Sequence, residues 1–558
     1  MTDQIPRDPV GLPAPTPPDA PGAAPLDDLI AARREKLRWF RESLGAEPYG
    51  SRVDGLVTLA TARSLFDEAA HTEYESAVAE AKNAAKAGAP VATTTVDRRR
   101  QAKVAGRIVQ HRDLGKLIFL WLRDHSGDLQ ISLSKATVGD ELFTVAKKLD
   151  YGDIVVAEGP VGRTQKGEIC VWAAGPSAIS LATKSVVPPP EKWHGLTDPE
   201  LRYRQRYVDL FANPETIRTA QLRCSMIAFI RQHLIARDYL EVETPMMQSV
   251  AGGAAARPFV THHNALGMQL FMRVAPELFL KRLLVGGLPK VFEINRNFRN
   301  EGVDRSHNPE FTALEAYQAF GDCFTMLELT ETLLSELAEH MAAEGAKHGV
   351  AAVERSPRGG PILPFGELRI DWSKPFERVT FGDLFERALG FPMTDRSSVR
   401  DAARSHHLKD TGMDHWLVVD ELFEAVAEPL IDPNRPTFVL EYPSAISPLT
   451  RPNRTRPELA DRWDLFIGGM EVGPAYTELN DPDIQLAKFS EQLTGEDDEA
   501  RTFRSLDEDF IHALRVGMPP AGGLGLGIDR LAMLMTNSLT IRDVILFPLM
   551  RTRGSDAE

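Results

Sequence analysis

The chain has 558 residues, 43% hydrophobic and 26% charged, an ordinary composition for a water-soluble protein with room for about three or four domains. Its 64 Lys and Arg stand against 79 Asp and Glu, a formal net charge of −15. That excludes a globally basic nucleic-acid binder but not a local basic face, because phosphate contacts act over short distances in salt. No apolar run reaches the roughly 18 residues of a transmembrane helix, so no membrane association is expected, and the N-terminus lacks the basic-then-apolar pattern of a secretion signal. Cys170, Cys224 and Cys323 are far apart and form no CxxC pair, which argues against a disulfide framework or a zinc site and favours a reducing cytoplasm.

In chain order, residues 1–25 hold eight prolines among many alanines and read as a disordered tail. Residues 26–100 read as a helical extension. Leu26, Leu29, Ile30, Leu37, Phe40 and Leu44 fall close to helical spacing, Asp27 and Asp28 sit in the first turn, and Gly45 is a natural stop. The polar face carries Arg33, Arg34, Lys36, Arg38 and Arg41, which by itself reads as a solvated face. Residues 56–88 are alanine-rich and also helical in pattern.

Residues 101–186 alternate apolar and polar over five short runs: VAGRIV, LIFLWLRD, LQISL, DIVVAEGPVG and EICVWA. With a helical segment, ELFTVAKKL, between them, they fit an OB-fold barrel. Such barrels stack single-stranded bases on aromatics in a basic groove. Phe119 and Trp121 are two apart on one strand and share a face, so both meet nucleic acid or both pack inward unless a bulge intervenes. Arg107, Arg112 and Lys116 are candidate phosphate contacts. Pro188, Pro189 and Pro190 mark a stiff linker within 187–200. A larger domain, 201–554, follows. Residues 216–237 are helical in pattern, YLEVETPMM reads as a strand ending at Pro245, 324–343 as a helix, and 344–366, rich in Gly, Pro and Arg, as a loop insertion.

Residues 291–317, VFEINRNFRNEGVDRSHNPEFTALEAY, dominate this domain. The apolar run Val291, Phe292, Ile294 reads as a buried strand, followed by a polar loop and a second strand from Glu310. This arrangement projects Arg299, Glu301 and His307 into one pocket. Guanidinium pairs bidentately with phosphate oxygens, so the pocket suits a nucleotide triphosphate; the plain alternative is a hairpin with a solvated, salt-bridged loop. Asp464 and Glu471 are seven positions apart across LFIGGM. On one strand that odd spacing puts them on opposite faces unless the two glycines make a bulge. The glycines of GGLGLG let backbone approach a ligand closely; a dinucleotide-type reading fails because no βαβ unit with a downstream acid follows.

Residues 291–317 resemble motif 2 of the class II aminoacyl-tRNA synthetases, with FRNEG and HNPEF similar to the lysyl-tRNA synthetase (class IIb) version. Residues 522–551, GGLGLGIDRLAMLMTNSLTIRDVILFPLMR, resemble motif 3. Residues 241–287, with ETPMM, GGAAARPF, THHNAL and APELFLKRLLVGG, resemble the region from the end of motif 1 to the substrate pocket. LIAARREKL resembles the N-terminal helix of the bacterial-type family, and VAGRI with its following strands the anticodon-binding domain. The resemblance implies an α+β multidomain chain: an N-terminal OB-fold β-barrel plus a class II catalytic domain with a mixed, mainly antiparallel sheet flanked by helices. It implies activation of L-lysine with ATP and transfer to tRNA(Lys), with Mg2+, in a homodimer built on motif 1.

Residue by residue, the resemblance places Arg299 between the substrate carboxylate and the α-phosphate, and Arg530 on the terminal phosphate. It sets His307 along the polyphosphate, Glu301 and Asn308 on the adenine edge, Phe311 on the ring, and Asp464 and Glu471 on magnesium. Asp464 stands where the family usually has glutamate, one methylene longer. Lysine carries two ammonium groups and needs carboxylates at both ends. Glu277 with Gly253 would take the α-amine, Glu478 with Tyr317 the side-chain ammonium, and Glu315 would support them. Phe119 matches the family's anticodon-stacking aromatic and Gln130 a base-reading residue, with Arg107 nearby. One departure is GPAYTE at 473–478: Pro474 replaces an asparagine that helps hold the substrate carboxylate, and proline has no donor. Weaker lysine binding, or compensation by Tyr476, is expected. The rival readings are a lysine ligase acting on a protein acceptor, whose members lack the OB domain, and a degenerate synthetase that only binds RNA.

Overall fold

The structure is a computed structural model that describes residues 25–87, 97–189, 196–253, 256–494 and 506–551. The proline-rich tail, apart from Pro25, and part of the 187–200 linker lie outside these residues. The chain divides into two units, Met1–Ile217 and Arg218–Glu558.

In the first unit, helix α1 (Leu26–Leu44) ends where expected. Gly45 takes a left-handed φ of 60° and its amide bonds back to the Arg41 carbonyl, with the Ala46 amide on the Phe40 carbonyl, a left-handed glycine close. Residues 56–88 contain two helices, α2 (Leu59–Ser64) and α3 (Glu68–Lys86). The barrel comprises β1 (Gln101–Asp113), β2 (Leu117–Asp124), β3 (Gly127–Ser134), helix α4 (Lys135–Lys148), β4 (Ile154–Arg163), β5 (Ile169–Trp172) and β6 (Ile179–Thr183). The expected five strands are present and β6 is a sixth. Strand β1 closes the barrel because its first half pairs with β4 and its second with β2, with a bulge between Ile108 and Gln110. Ile118, Leu120 and Leu122 point into the core. Phe119 and Trp121 therefore share the other face, as their spacing requires.

The second unit is built on an eight-stranded sheet. Helix α5 (Pro214–Ile235) precedes β7 (Leu240–Glu241), helix α6 (Glu277–Val285), β8 (Lys290–Phe298), β9 (Glu310–Ala319) and helix α7 (Cys323–Lys347). A small antiparallel sheet of β10 (Glu354–Arg355), β11 (Pro361–Phe365) and β12 (Leu368–Asp371) follows. Then come β13 (Glu377–Thr380), β14 (Thr437–Leu440), β15 (Arg462–Ile467), β16 (Met470–Thr477), β17 (Ala521–Gly527) and helix α8 (Ile528–Thr536). The order is β13-β14-β15-β16-β17-β9-β8-β7. Only β13–β14 and β8–β7 are parallel, so the sheet is mixed and mainly antiparallel, as expected. Its buried face packs Leu314, Leu524 and Leu526 against Leu333, Leu334 and Leu337 of α7.

Three local expectations are corrected. YLEVETPMM is not one strand: only Leu240 and Glu241 pair with β8, and Met247–Gln248 belong to another small sheet. Residues 344–366 are not a loop; they complete α7 and supply β10 and β11, with Leu363 and Phe365 in the core. Asp464 and Glu471 do not share a strand. Gly468 and Gly469, with φ of 64° and 73°, form the two-residue turn of a β15–β16 hairpin, since positive φ at both positions matches strand twist. A register shift opposite Leu465 and Phe466 leaves Val472 as the extra residue.

Candidate active site

Strands β8, β9, β16 and β17 floor an open cleft. Its lining includes Gly253, Glu277, Arg299, Glu301, His307, Asn308, Phe311, Glu315, Tyr317, Glu471, Tyr476 and Arg530. Asp464 and Glu478 are not on the lining; both are buried beside it. Side chains alternate along β17, so Leu524 and Leu526 face the core while Gly523, Gly525 and Gly527 face the cleft. A Cβ at Gly523 would stand 1.9 Å from Glu478 Oε1 and 2.6 Å from the Tyr317 ring.

One end of the cleft is cationic. Arg299 lies with its guanidinium carbon 5.1 Å from the Phe311 ring centre, and among the described residues its Nε is buried without a hydrogen-bond partner. Arg530 donates to the Glu471 carbonyl at 2.6 Å and to His307 Nε2 at 2.7 Å. Because Nε2 accepts, the proton sits on Nδ1, which donates to Asp304 Oδ2 at 2.7 Å. Backbone amides of Ser306 and His307, with the His307 ring, outweigh desolvation and pull the Asp304 carboxyl down to about 2. Asn308 donates to the Glu310 carbonyl, and among the described residues its own buried oxygen has no partner. Glu301 is exposed at the rim.

The other end is acidic. Glu277, Glu315 and Glu478 are buried. Burial and then Glu277 push the Glu315 carboxyl up to about 8, against the hydrogen bond donated by the Tyr317 hydroxyl at 3.1 Å. Burial also raises Glu478. Sequence reasoning missed the partner of these acids, Lys281. It is wholly buried, 2.6 Å from Glu277 Oε1 and against Glu478 Oε2. Its four-residue spacing from Glu277 on α6 was the available signal; its approach to Glu478 was not readable.

Beside the cleft, Arg462 forks onto both oxygens of Asp464 at 2.9 and 2.6 Å, another contact missed from sequence. Desolvation and Asp464 raise the Glu471 carboxyl. Desolvation, Glu424, Glu471 and Asp464 raise Glu428 to about 7. Arg530, Arg462 and Arg299 oppose the rise at Glu471, and among the described residues no three His, Cys, Asp or Glu side chains gather closely enough to hold a metal ion by themselves. Glu471 is the freer donor, since Asp464 is already held by Arg462.

On the barrel, Phe119 lies opposite Ser132 and Arg112, and Trp121 opposite Gln130. Gln130 is buried and donates to Ser132 at 2.9 Å. Arg107 donates to the Gly152 carbonyl at 2.7 Å and lies 4.4 Å over the Phe211 ring. It is held internally, whereas exposed Arg112 flanks Phe119.

The antiparallel sheet and a cleft with cations at one end and carboxylates at the other define a class II aminoacyl-tRNA synthetase. Residues 198–551 match the family model for class II tRNA synthetases (D, K and N), and residues 102–174 match that for an OB-fold nucleic acid binding domain. Curated relatives narrow this. The lysine–tRNA ligase of Carboxydothermus hydrogenoformans is 43% identical over 95% of this chain and 99% of its own length. That of Erwinia tasmaniensis is 40% identical over 96% and 98%. The heat-inducible lysine–tRNA ligase of Escherichia coli K12 is 41% identical over 95% and 97%. The chain belongs to the lysine–tRNA ligase family.

Proposed function

We infer that this chain activates L-lysine with ATP, forming lysyl-adenylate and pyrophosphate, and then transfers lysine to the 3′ end of tRNA(Lys). The observation that carries the reading is the division of charge along the cleft. Glu277 and Glu478 gather at one end, with Lys281 and the proton-holding Glu315 beside them, and Arg299 and Arg530 lie at the other. A diamine with one carboxylate, lying beside a polyphosphate, complements that division.

Glu277 and Gly253 take the α-ammonium, and Glu478 with Tyr317 the side-chain ammonium. Among the described residues Glu478 Oε1 is buried without a hydrogen-bond partner, which favours an incoming donor because an unmet buried acceptor is costly. Arg299 brings the lysine carboxylate and the α-phosphate together, and the attacking oxygen displaces pyrophosphate. Arg530, fixed by His307, holds the terminal phosphate. Phe311 stacks on adenine while Glu301 and Asn308 meet its edge. Positioning and fixed charge supply the rate. Glu471 and Asp464 would hold magnesium, which neutralises phosphate charge. Tyr476 lines the cleft two residues along β16 from Pro474, on the same face, where its hydroxyl would serve the substrate carboxylate in place of the missing asparagine.

Phe119, Gln130 and the neighbouring basic residues serve the anticodon. A homodimer through α5 and the segment after it is supported by exposed Ile235, Leu240 and Met247, apolar side chains that a second copy would cover.

Lysine-dependent ATP–pyrophosphate exchange without tRNA tests the first step, with the other amino acids as controls. Exchange with lysine alone is expected. Exchange with ornithine in place of lysine would reassign the substrate, and silence with every amino acid would defeat the enzyme reading.

A further inference from the structure

Lys281 has no place in the chemistry above, yet it occupies the centre of the acidic end. Its neighbours on α6, Leu278, Leu280 and Leu284, are core residues, and Lys281 is as buried as they are, with a fully covered side chain. A lysine at such a position needs partners, since an unpaired buried ammonium is strongly disfavoured. Its partners are the two carboxylates assigned to the two ammonium groups of the substrate: Glu277 from its own helix and Glu478 from the segment after β16.

We propose that Lys281 is a positioning residue for lysine recognition: its resident ammonium stands between Glu277 and Glu478, favours their ionised forms and keeps both aimed at the pocket before the substrate arrives. The inference rests on the assignment of this cleft to lysine activation. It concerns the empty site, where two buried acids would otherwise face each other without a cation.

The surroundings support this. From β9, Glu315 and Tyr317 face the same acids; Arg273 and Glu293 act on Glu315 in turn. Glu277 raises Glu478, and Lys281 is the group that opposes it. Both carboxylates hold Lys281 charged despite its burial. Burial already pushes Glu478 up to about 8 with Lys281 in place, so removing Lys281 raises it further and the empty site holds a proton more tightly. Lysine then has to expel that proton to bind. The penalty is present at neutral pH and vanishes as rising pH ionises the pair in the empty enzyme.

The test is ATP–pyrophosphate exchange with lysine, full-length wild type against Lys281→Met and Lys281→Arg, across pH. Each variant is read as a ratio to wild type at the same pH, so that titration of free lysine cancels. For Lys281→Met the expected lysine KM is raised about tenfold or more near pH 7, with the excess falling to about threefold or less near pH 9 and kcat within about threefold throughout. Lys281→Arg keeps the cation and shifts it, so its KM ratio is expected to be the same at every pH. An unchanged KM in Lys281→Met overturns the proposal. So does a loss that is equal at every pH and shared with kcat, which marks a structural role. If Lys281→Met does not accumulate as folded protein, Lys281→Arg still decides, because a KM ratio that recovers with pH there contradicts the proposal. Absence of lysine-dependent exchange in the wild type defeats the functional reading itself, and this inference with it.

Discussion

Arg223 on α5 meets Asp529 at the start of α8 at 2.5 Å, and Asp529 Oδ2 also accepts the Thr312 amide of β9 at 2.7 Å. Three segments far apart in the chain are thereby tied at one buried carboxylate, directly before Arg530. Removing one partner of a buried pair leaves the other charge uncompensated, at a cost of about 3–5 kcal/mol. Arg223→Met is expected to lower unfolding stability by that amount. Urea unfolding measures it, and a change below about 1 kcal/mol would show that the Thr312 amide suffices.

Gly523 and Gly473 separate pocket from scaffold. A Cβ at Gly523 would strike Glu478 Oε1 and the Tyr317 ring, whereas one at Gly473 would lie 1.9 Å from the Gly525 carbonyl of the next strand. Gly523→Ala is therefore expected to raise the lysine KM about tenfold or more by displacing Glu478. Gly473→Ala should instead destabilise the sheet by about 1–3 kcal/mol. Exchange kinetics and thermal unfolding of both variants distinguish the two; equal lysine KM values for wild type and Gly523→Ala would place the side-chain ammonium elsewhere.

Glu315 gives a pH signature of stability. Its folded carboxyl is pushed from 4.5 up to about 8, so the native state holds a proton that the unfolded chain has already lost. Stability is thus lost progressively as pH rises from about 4.5 to about 8, the slope following the extra native proton. Glu315→Gln does not titrate. Its melting temperature relative to wild type is expected to climb across that window and level off above it. A flat difference from pH 5 to about 8 would mean that Glu315 is already ionised in the native protein.

Much of this site was legible because it is made of short-range patterns. Across 291–317 a short apolar run, a polar loop and a second apolar run lie next to one another in sequence and fold into strands of nine and ten residues, and the cleft glycines alternate with core leucines along one strand. Where two segments meet, the pattern gave out. Gly468-Gly469 inside an apolar run looked like a bulge because one strand and a hairpin share that local sequence until pairing is known. Residues 344–366 looked like a loop because β10 and β11 are two and five residues long and prolines flank their ends. Lys281 and Arg462 stayed silent for a related reason: a basic residue in an apolar run gains its meaning from a distant carboxylate.

The Arg530–His307–Asp304 chain predicts a separation of ATP from lysine. His307 accepts from Arg530 and donates to Asp304, so Asp304 fixes which ring nitrogen can receive the arginine. Asp304→Asn can offer an amide hydrogen to the ring instead and release that choice. The expected result is a rise of about three- to tenfold in the ATP KM, with the lysine KM within about twofold. His307→Ala, which frees Arg530 altogether, is expected to cost more.

On the barrel, Phe119 and exposed Arg112 lie side by side, while Arg107 is committed to Gly152 and Phe211. Loss of a stacked base costs about 1–3 kcal/mol, or roughly five- to 150-fold in affinity. Phe119→Ala is therefore expected to raise the tRNA KM in charging within that range and to leave lysine-dependent exchange without tRNA unchanged, because exchange needs no anticodon. Arg112→Ala should weaken tRNA binding and flatten its salt dependence through the loss of one phosphate contact. Arg107→Ala should lower barrel stability first, since its guanidinium closes a contact within the protein. A tRNA KM that responds to Arg107→Ala at unchanged melting temperature, and not to Arg112→Ala, would move the phosphate contact back to Arg107.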